Sequence, residues 1–136
     1  MNYLTQEELV SVNVLIQSKA HQSSGLRDAS ALNYICASAE QEVFGQRLYD
    51  TPIKLSVFYF IKLIKKHVFN DANKRTAYTC LILSLKRNGE SYQFSSDDQK
   101  IISDLAIHVA TVNGESDELR KLVTKTIEDI LKKYSR

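Results

Sequence analysis

Apolar residues recur at three- and four-residue intervals in six stretches of the chain, the spacing of amphipathic helix faces. The first opens at Thr5-Gln6-Glu7-Glu8, where the threonine oxygen can accept an orphan N–H and Glu8 can reach back. It sets Leu9, Val12 and Ile16 on one stripe and runs to about Ala20, before a loop composition (HQSSG) that includes His21. An alanine-rich second helix is expected from Asp28 to Phe44, with Gly45 as its C-cap and Gly45 to Asp50 as an exposed connection. Thr51-Pro52 starts the third, a threonine N-cap with proline at the first helical position. This helix runs from Pro52 to about Lys66 and is nearly all apolar in its middle (LSVFYFIKLI), as a helix buried in a core would be.

A fourth helix is predicted from about Ala72 to Arg87, closed by Asn88-Gly89, and a short extended piece follows at Glu90 to Phe94. Ser96-Asp97-Asp98-Gln99 reads as a second capping box, opening a fifth helix to about Val112. There Ile101, Leu105 and His108 share a stripe, which makes His108 a core histidine. Ser116 caps the sixth, whose Leu119, Leu122, Val123, Ile127, Ile130, Leu131 and Tyr134 keep close to 3-4-3 spacing. The expected fold is all-α: a compact six-helix bundle, one domain over residues 1–136, with two central buried helices flanking a polar break.

Composition strengthens that reading. Four glycines and one proline in 136 residues are too few for the turns of a sandwich or barrel. Hydrophobic residues at 43% and charged residues at 25% exclude global disorder. A net charge of +2 is too mild to argue for a nucleic-acid partner. Cys36 and Cys80 lack metal-site spacing and fit a reducing cytosol; Cys80, in an apolar helix centre, reads as a small hydrophobe. The N-terminus has no signal-peptide pattern, and the most apolar run, Ile53 to Ile64, is too short and too charged to span a membrane. A cytoplasmic protein with no membrane partner is expected.

The break between the two most apolar helices reads His67-Val68-Phe69-Asn70-Asp71-Ala72-Asn73-Lys74-Arg75. Unpaired charge is costly to bury, so Asp71, Lys74 and Arg75 belong at a surface or cleft. They lie where a helix begins, and there free N–H groups and the helix dipole favour an anion. Lys74 and Arg75 oppose that dipole unless something negative sits beside them, and phosphate suits guanidinium, ammonium and backbone N–H together. From Lys54 to Arg75 there are six basic residues against the single acid Asp71. Lys62, Lys65 and Lys66 read as the solvated basic side of helix three, whereas Lys74 and Arg75 read as part of a site. His67 can accept the proton of an attacking hydroxyl or be structural. Asp71 can hold Mg²⁺ against phosphates or be an N-cap. Asn73 can orient a phosphate or brace the turn. Phe69 points inward as an anchor.

The string HVFNDANKR resembles the Fic/Doc signature HxFx(D/E)(G/A)N(G/K)R at every specified position. Lysine at 74, together with the Gly-Leu-Arg-Asp segment and Lys86-Arg87-Asn88-Gly89, is similar to the Doc (death-on-curing) branch, over nearly the whole chain. The resemblance implies the Fic/Doc-like helical fold and these roles: His67 as general base, Asp71 as the Mg²⁺ ligand, Asn73 with backbone N–H groups as the anion hole, Arg75 on the nucleotide phosphates. It implies that Lys74, filling the space a glycine leaves in Fic adenylyltransferases, makes ATP present its γ-phosphate to a Ser or Thr of a protein. It further implies elongation factor Tu as that protein, growth arrest as the outcome, Gly45 to Thr51 as a target-aligning flap, and an antitoxin whose C-terminal segment covers the site.

Two positions depart from the wider family. Tyr78 stands where many Fic motifs carry a second arginine, and Ser38 to Glu42 has the spacing of an inhibitory (S/T)xxxE(G/N) motif but is followed by Val43. An adenylyl- or nucleotidyltransferase, and an inactive Fic-like binding module, are the competing readings. The intact His67, Asp71, Asn73 and Arg75 set opposes the second of these.

Overall fold

The computed structural model describes residues 1–19 and 25–134; the loop expected around His21 and the helix end expected at Ala20 lie outside them. Six helices are described: α1 (Gln6–Lys19), α2 (Ala29–Ala39), α3 (Pro52–Lys65), α4 (Asn73–Arg87), α5 (Ser96–Thr111) and α6 (Asp117–Lys132). α3 and α4 form the centre. Ser56, early in α3, hydrogen-bonds Ser84, late in α4, at 2.8 Å, so the two run antiparallel and approach through small side chains. α1 lies on α4, α2 and α6 on α3, and α5 contacts both central helices. Residues 55–61 of α3 are all buried, together with Leu63 and Ile64, which explains why this helix shows no polar face in its middle. Among the described residues, no helix is long and apolar enough to cross a membrane.

Local chemistry starts most helices where the sequence indicates. Thr5 and Glu8 exchange capping-box bonds of 3.0 and 3.1 Å. Thr51 Oγ1 accepts from Lys54 N at 3.1 Å, Ser116 Oγ from Leu119 N at 3.1 Å, and Asp28 Oδ1 from Ala31 N at 2.9 Å. Gly89 closes α4 with φ of +90°, and Glu90 N returns to Leu85 O at 2.8 Å.

Tertiary contacts overrule the sequence reading in several places. α2 stops at Ala39 and not at Phe44; Glu42–Val43 (β1) and Gln46–Arg47 (β2) pair as an antiparallel hairpin. Phe44 and Gly45 both have positive φ, 51° and 78°, the signature of a tight two-residue hairpin turn, so Gly45 makes this turn and does not cap a helix. The hairpin is pinned by Arg47, which donates to Glu40 O at 2.9 Å and stacks 5.4 Å from the Tyr3 ring centroid. The all-α class stands with this one small addition. α5 is capped by Ser95, one residue before the expected Ser96, with Ser95 Oγ accepting from Asp98 N at 3.2 Å. No strand forms at 90–94.

Three facial assignments also change. On α1 the buried line is Leu9, Asn13 and Gln17, while Val12 and Ile16 are only partly covered. On α5 it is Ile102, Leu105, Ala106 and Val109, which leaves His108 exposed and not a core histidine. Lys62 and Lys66 are not simply solvated: both pair with Glu115, at 2.7 and 3.7 Å, and both lie over the Tyr34 ring. Lys65 donates to Val112 O. These three lysines therefore tie the end of α3 to the α5–α6 connection.

Candidate active site

Residues 66–72 link the two central helices, and the loop alternates between core and surface. Val68, Phe69 and Ala72 are buried, whereas His67, Asn70 and Asp71 are exposed. Phe69 is the inward anchor expected of it. His67 and Ala72 bracket the segment in the left-handed region, with φ of 47° and 61°. Side chains with a Cβ occupy that region only where the surroundings over-determine the backbone.

Those surroundings come from three directions. Residues 25–28 strap the loop from outside: Val68 O accepts from Arg27 N at 2.8 Å and Asp28 N at 3.0 Å, and Asn70 N donates to Gly25 O at 2.9 Å. Leu26 and Phe69 form an antiparallel bridge. Gly25 lies directly against the exposed Asn70 side chain, whose amide end occupies the place a Cβ would take. From within, Asn73 uses both ends of its amide on Phe69, accepting from its N–H at 3.1 Å and donating to its carbonyl at 3.0 Å. The Asn73 side chain thus braces the turn, and Asn73 also lines the cavity beside it. From below, Asn13 of α1 donates to Asp71 O at 3.0 Å and to Thr76 Oγ1 at 3.1 Å.

The loop walls a cavity of about 330 Å³ lined by His67, Asp71, Asn73, Lys74 and Arg75, closed by Ile64 and Ala110. All five residues singled out in the sequence meet there. Asp71 Oδ1 accepts from Ala72 N at 2.7 Å, so its carboxylate does support the turn while standing in the cavity wall. α4 begins without a side-chain cap, and its first backbone bond runs from Thr76 N to Ala72 O at 2.9 Å. The preceding N–H groups are left for an anion. Among the described residues, the side chains of His67, Lys74 and Arg75 have no hydrogen-bond or ion-pair partner, and Asp71 is the only acid in the lining. Two cations and a helix N-terminus thus face one carboxylate, an excess of positive potential suited to phosphates.

Lys74 and Arg75 also border a second cavity of about 500 Å³ between α1, α4 and α5, walled by Ile16, Tyr78, Ala106 and Ile107. Burial raises the Tyr78 hydroxyl above its usual range, so it stays neutral there. A family model for Fic/DOC proteins matches residues 3–85, from before α1 through the signature into the last turn of α4. The chain belongs to the Fic/DOC family. It is 30% identical over 126 residues to the protein kinase doc of Escherichia phage P1, an alignment covering 90% of this chain and 96% of the relative. The strap at 25–28 and Asn13 lie within the span matched by the family model. Sequence reasoning missed Asn13, although its signal was present: Asn13 and Gln17 continue the Leu9 line at four-residue spacing, and polar residues there need a reason.

Proposed function

We propose that this Fic/DOC protein is a Doc-type toxin that transfers the γ-phosphate of ATP to a serine or threonine hydroxyl of a protein. Elongation factor Tu is the proposed target, and arrest of translation and growth the outcome. The observation that carries this reading is the gathering of His67, Asp71, Lys74 and Arg75 around one cavity at the start of α4. Similarity to a protein kinase along nearly the whole chain supports the same class of reaction.

In this reading the exposed imidazole of His67 takes the proton of the target hydroxyl as its oxygen attacks the γ-phosphorus. The bond between that phosphorus and the β–γ bridging oxygen breaks, ADP leaves with the electron pair, and the product is a phosphoserine or phosphothreonine. Arg75 and the N–H groups opening α4 bind phosphate oxygens, and Asn73 acts by holding the turn that presents them. Lys74 occupies and charges the space beside them, which favours ATP oriented with its γ-phosphate toward the hydroxyl. One cavity-facing carboxylate is what Mg²⁺ needs from a protein when substrate phosphates and water complete its shell, and Asp71 supplies it. Bound there, the ion would neutralise phosphate charge.

The groove beside Lys74 and Arg75, apolar along Ile16, Ala106 and Ile107, suits an amphipathic antitoxin segment with an acidic group at its end. The hairpin at 42–47 leaves both strands exposed for backbone pairing with a target peptide.

The test is Mg²⁺-dependent labelling of purified elongation factor Tu, and of a bacterial lysate, with ATP labelled at the γ- or the α-phosphate. Label from the γ-position alone, abolished by His67→Ala, is expected. Label only from the α-position would make the protein a nucleotidyltransferase, and no label from either would favour a binding module.

A further inference from the structure

Asn13 lies in the middle of α1, 58 residues before Asp71, and is 1% exposed. A buried carboxamide in an apolar interface destabilises a protein unless its hydrogen bonds are met. Its Nδ2 meets two partners: the backbone carbonyl of Asp71 at 3.0 Å and the hydroxyl of Thr76, itself fully buried, at 3.1 Å. Only the NH₂ end can face Asp71 O, because two carbonyl oxygens in contact would repel; the direction of the bond is fixed by chemistry.

These two partners lie on either side of the tightest point of the signature. Asp71 precedes the left-handed Ala72, and Thr76 N makes the first backbone bond of α4 to Ala72 O. One side chain therefore clamps the peptide leading into the turn to the first turn of the helix leading out of it. The strap at 25–28 and the Asn73 side chain hold residues 68–70, on the other side. Among the described residues, Asn13 is the side chain from another element that holds 71–76 by hydrogen bonds. The direction of the Asp71 carboxylate and of the N–H groups after Ala72 depends on the peptide planes it holds.

We propose that Asn13 is a positioning residue for phosphate transfer: through Asp71 O and Thr76 it sets the turn that aims the Asp71 carboxylate and the α4 N–H groups into the cavity. The inference rests on the phosphotransfer reading for its kinetic consequence but not for its structural one. Asn13→Asp is the sharper variant, since it keeps size while placing an acceptor against Asp71 O; Asn13→Ala only removes the donor. Loss of a partner that orients a metal-binding or catalytic group costs about 10- to 100-fold in activity or metal affinity.

Both variants and a core control, Ile127→Val on α6, are compared with wild type by thermal unfolding, hydrogen exchange and Mg²⁺-dependent transfer. Asn13→Asp is expected to speed amide exchange at Ala72 and Thr76, the hydrogen-bonded amides of 71–76, by about tenfold or more while α6 stays protected. It is also expected to raise the Mg²⁺ concentration for half-maximal rate and lower kcat, with the KM for target protein unchanged. Ile127→Val lowers the melting temperature without moving either signature. Unchanged exchange at Ala72 and Thr76 in a folded Asn13→Asp protein overturns the proposal, whether or not transfer is seen. Wild-type protein that transfers no phosphate overturns the functional reading alone, and the exchange result still decides the role of Asn13. A variant that transfers with wild-type kcat and Mg²⁺ dependence also overturns it.

Discussion

His67 shows most directly how residue chemistry and backbone cost meet in this protein. It is exposed and, among the described residues, unpartnered at its imidazole, yet its backbone sits at φ 47°, where glycine alone is at ease. A strained, solvent-facing histidine contributes little to folding, which fits the catalytic role proposed for it. Replacing it with alanine or with glycine should remove transfer equally. The two should differ in stability, however: denaturant unfolding is expected to place His67→Gly above His67→Ala by about 1 kcal/mol, since only the alanine keeps a Cβ in the left-handed region. Equal stability would show that the loop relaxes and stores nothing. Lys74 makes the complementary case. It borders both cavities and holds no ion pair among the described residues, so Lys74→Gly should leave the melting temperature within the scatter of surface substitutions. In the labelled-ATP assay the same change should abolish γ-transfer; retained γ-transfer would mean that Lys74 does not set the nucleotide's orientation.

At the scale of elements, short-range chemistry and long-range contact divide the outcome. Caps formed within three residues were legible, as at Thr5, Thr51 and Ser116, because both partners lie in one short string. The stretch after Ala39 was not. Glu-Gln-Glu-Val has no local reason to leave a helix, and it does so because Arg47 returns to Glu40 O and Leu48 N to Gln41 O across a Phe44-Gly45 turn. Ser95 wins over Ser96 as the cap of α5 for a similar reason. Its Oγ accepts from Asp98 N, its own N–H donates to Tyr134 Oη at 3.0 Å, and Asp98 binds Lys133 and Tyr134 from the end of α6. The Lys133 and Tyr134 hydrogen bonds hold the Asp98 carboxyl below its usual range. A depressed carboxyl stabilises the fold above its unfolded pKa, about 3.9, and that contribution disappears as pH falls through the folded value. Asp98→Asn should therefore melt lower than wild type at pH 7, with the gap closing below about pH 4. A gap independent of pH between 7 and 3 would show that the charge on Asp98 contributes nothing.

In the whole molecule, the α3–α4 pair turns a nine-residue signature into a cavity. α3 is buried on every side, so its C-terminal end cannot move independently of the core. Glu115, bridging Lys62 and Lys66, and Val112 O, receiving Lys65, fasten that end to the α5–α6 connection. The loop that follows is then strapped by residues 25–28 and clamped by Asn13. Residues 25–28, α1 and the α5–α6 connection thus converge on the end of α3 and the turn that follows it. The five candidate residues are held by that whole frame although all lie between His67 and Arg75.

The sequence by itself determined the family, the helical class, the residue types of the site and most helix starts. Each of those depends on identity at fixed spacing or on partners three or four residues apart. Only the tertiary structure decided that His67 and Ala72 are left-handed, that Asn73 braces Phe69, that Gly45 turns a hairpin and that Asn13 holds Asp71. Those features depend on surroundings that the local string does not contain: carbonyls and N–H groups brought together from distant segments, each of which must find a partner once water is excluded. The candidate chemistry lies along nine residues, and the fold gathers five of them around one cavity.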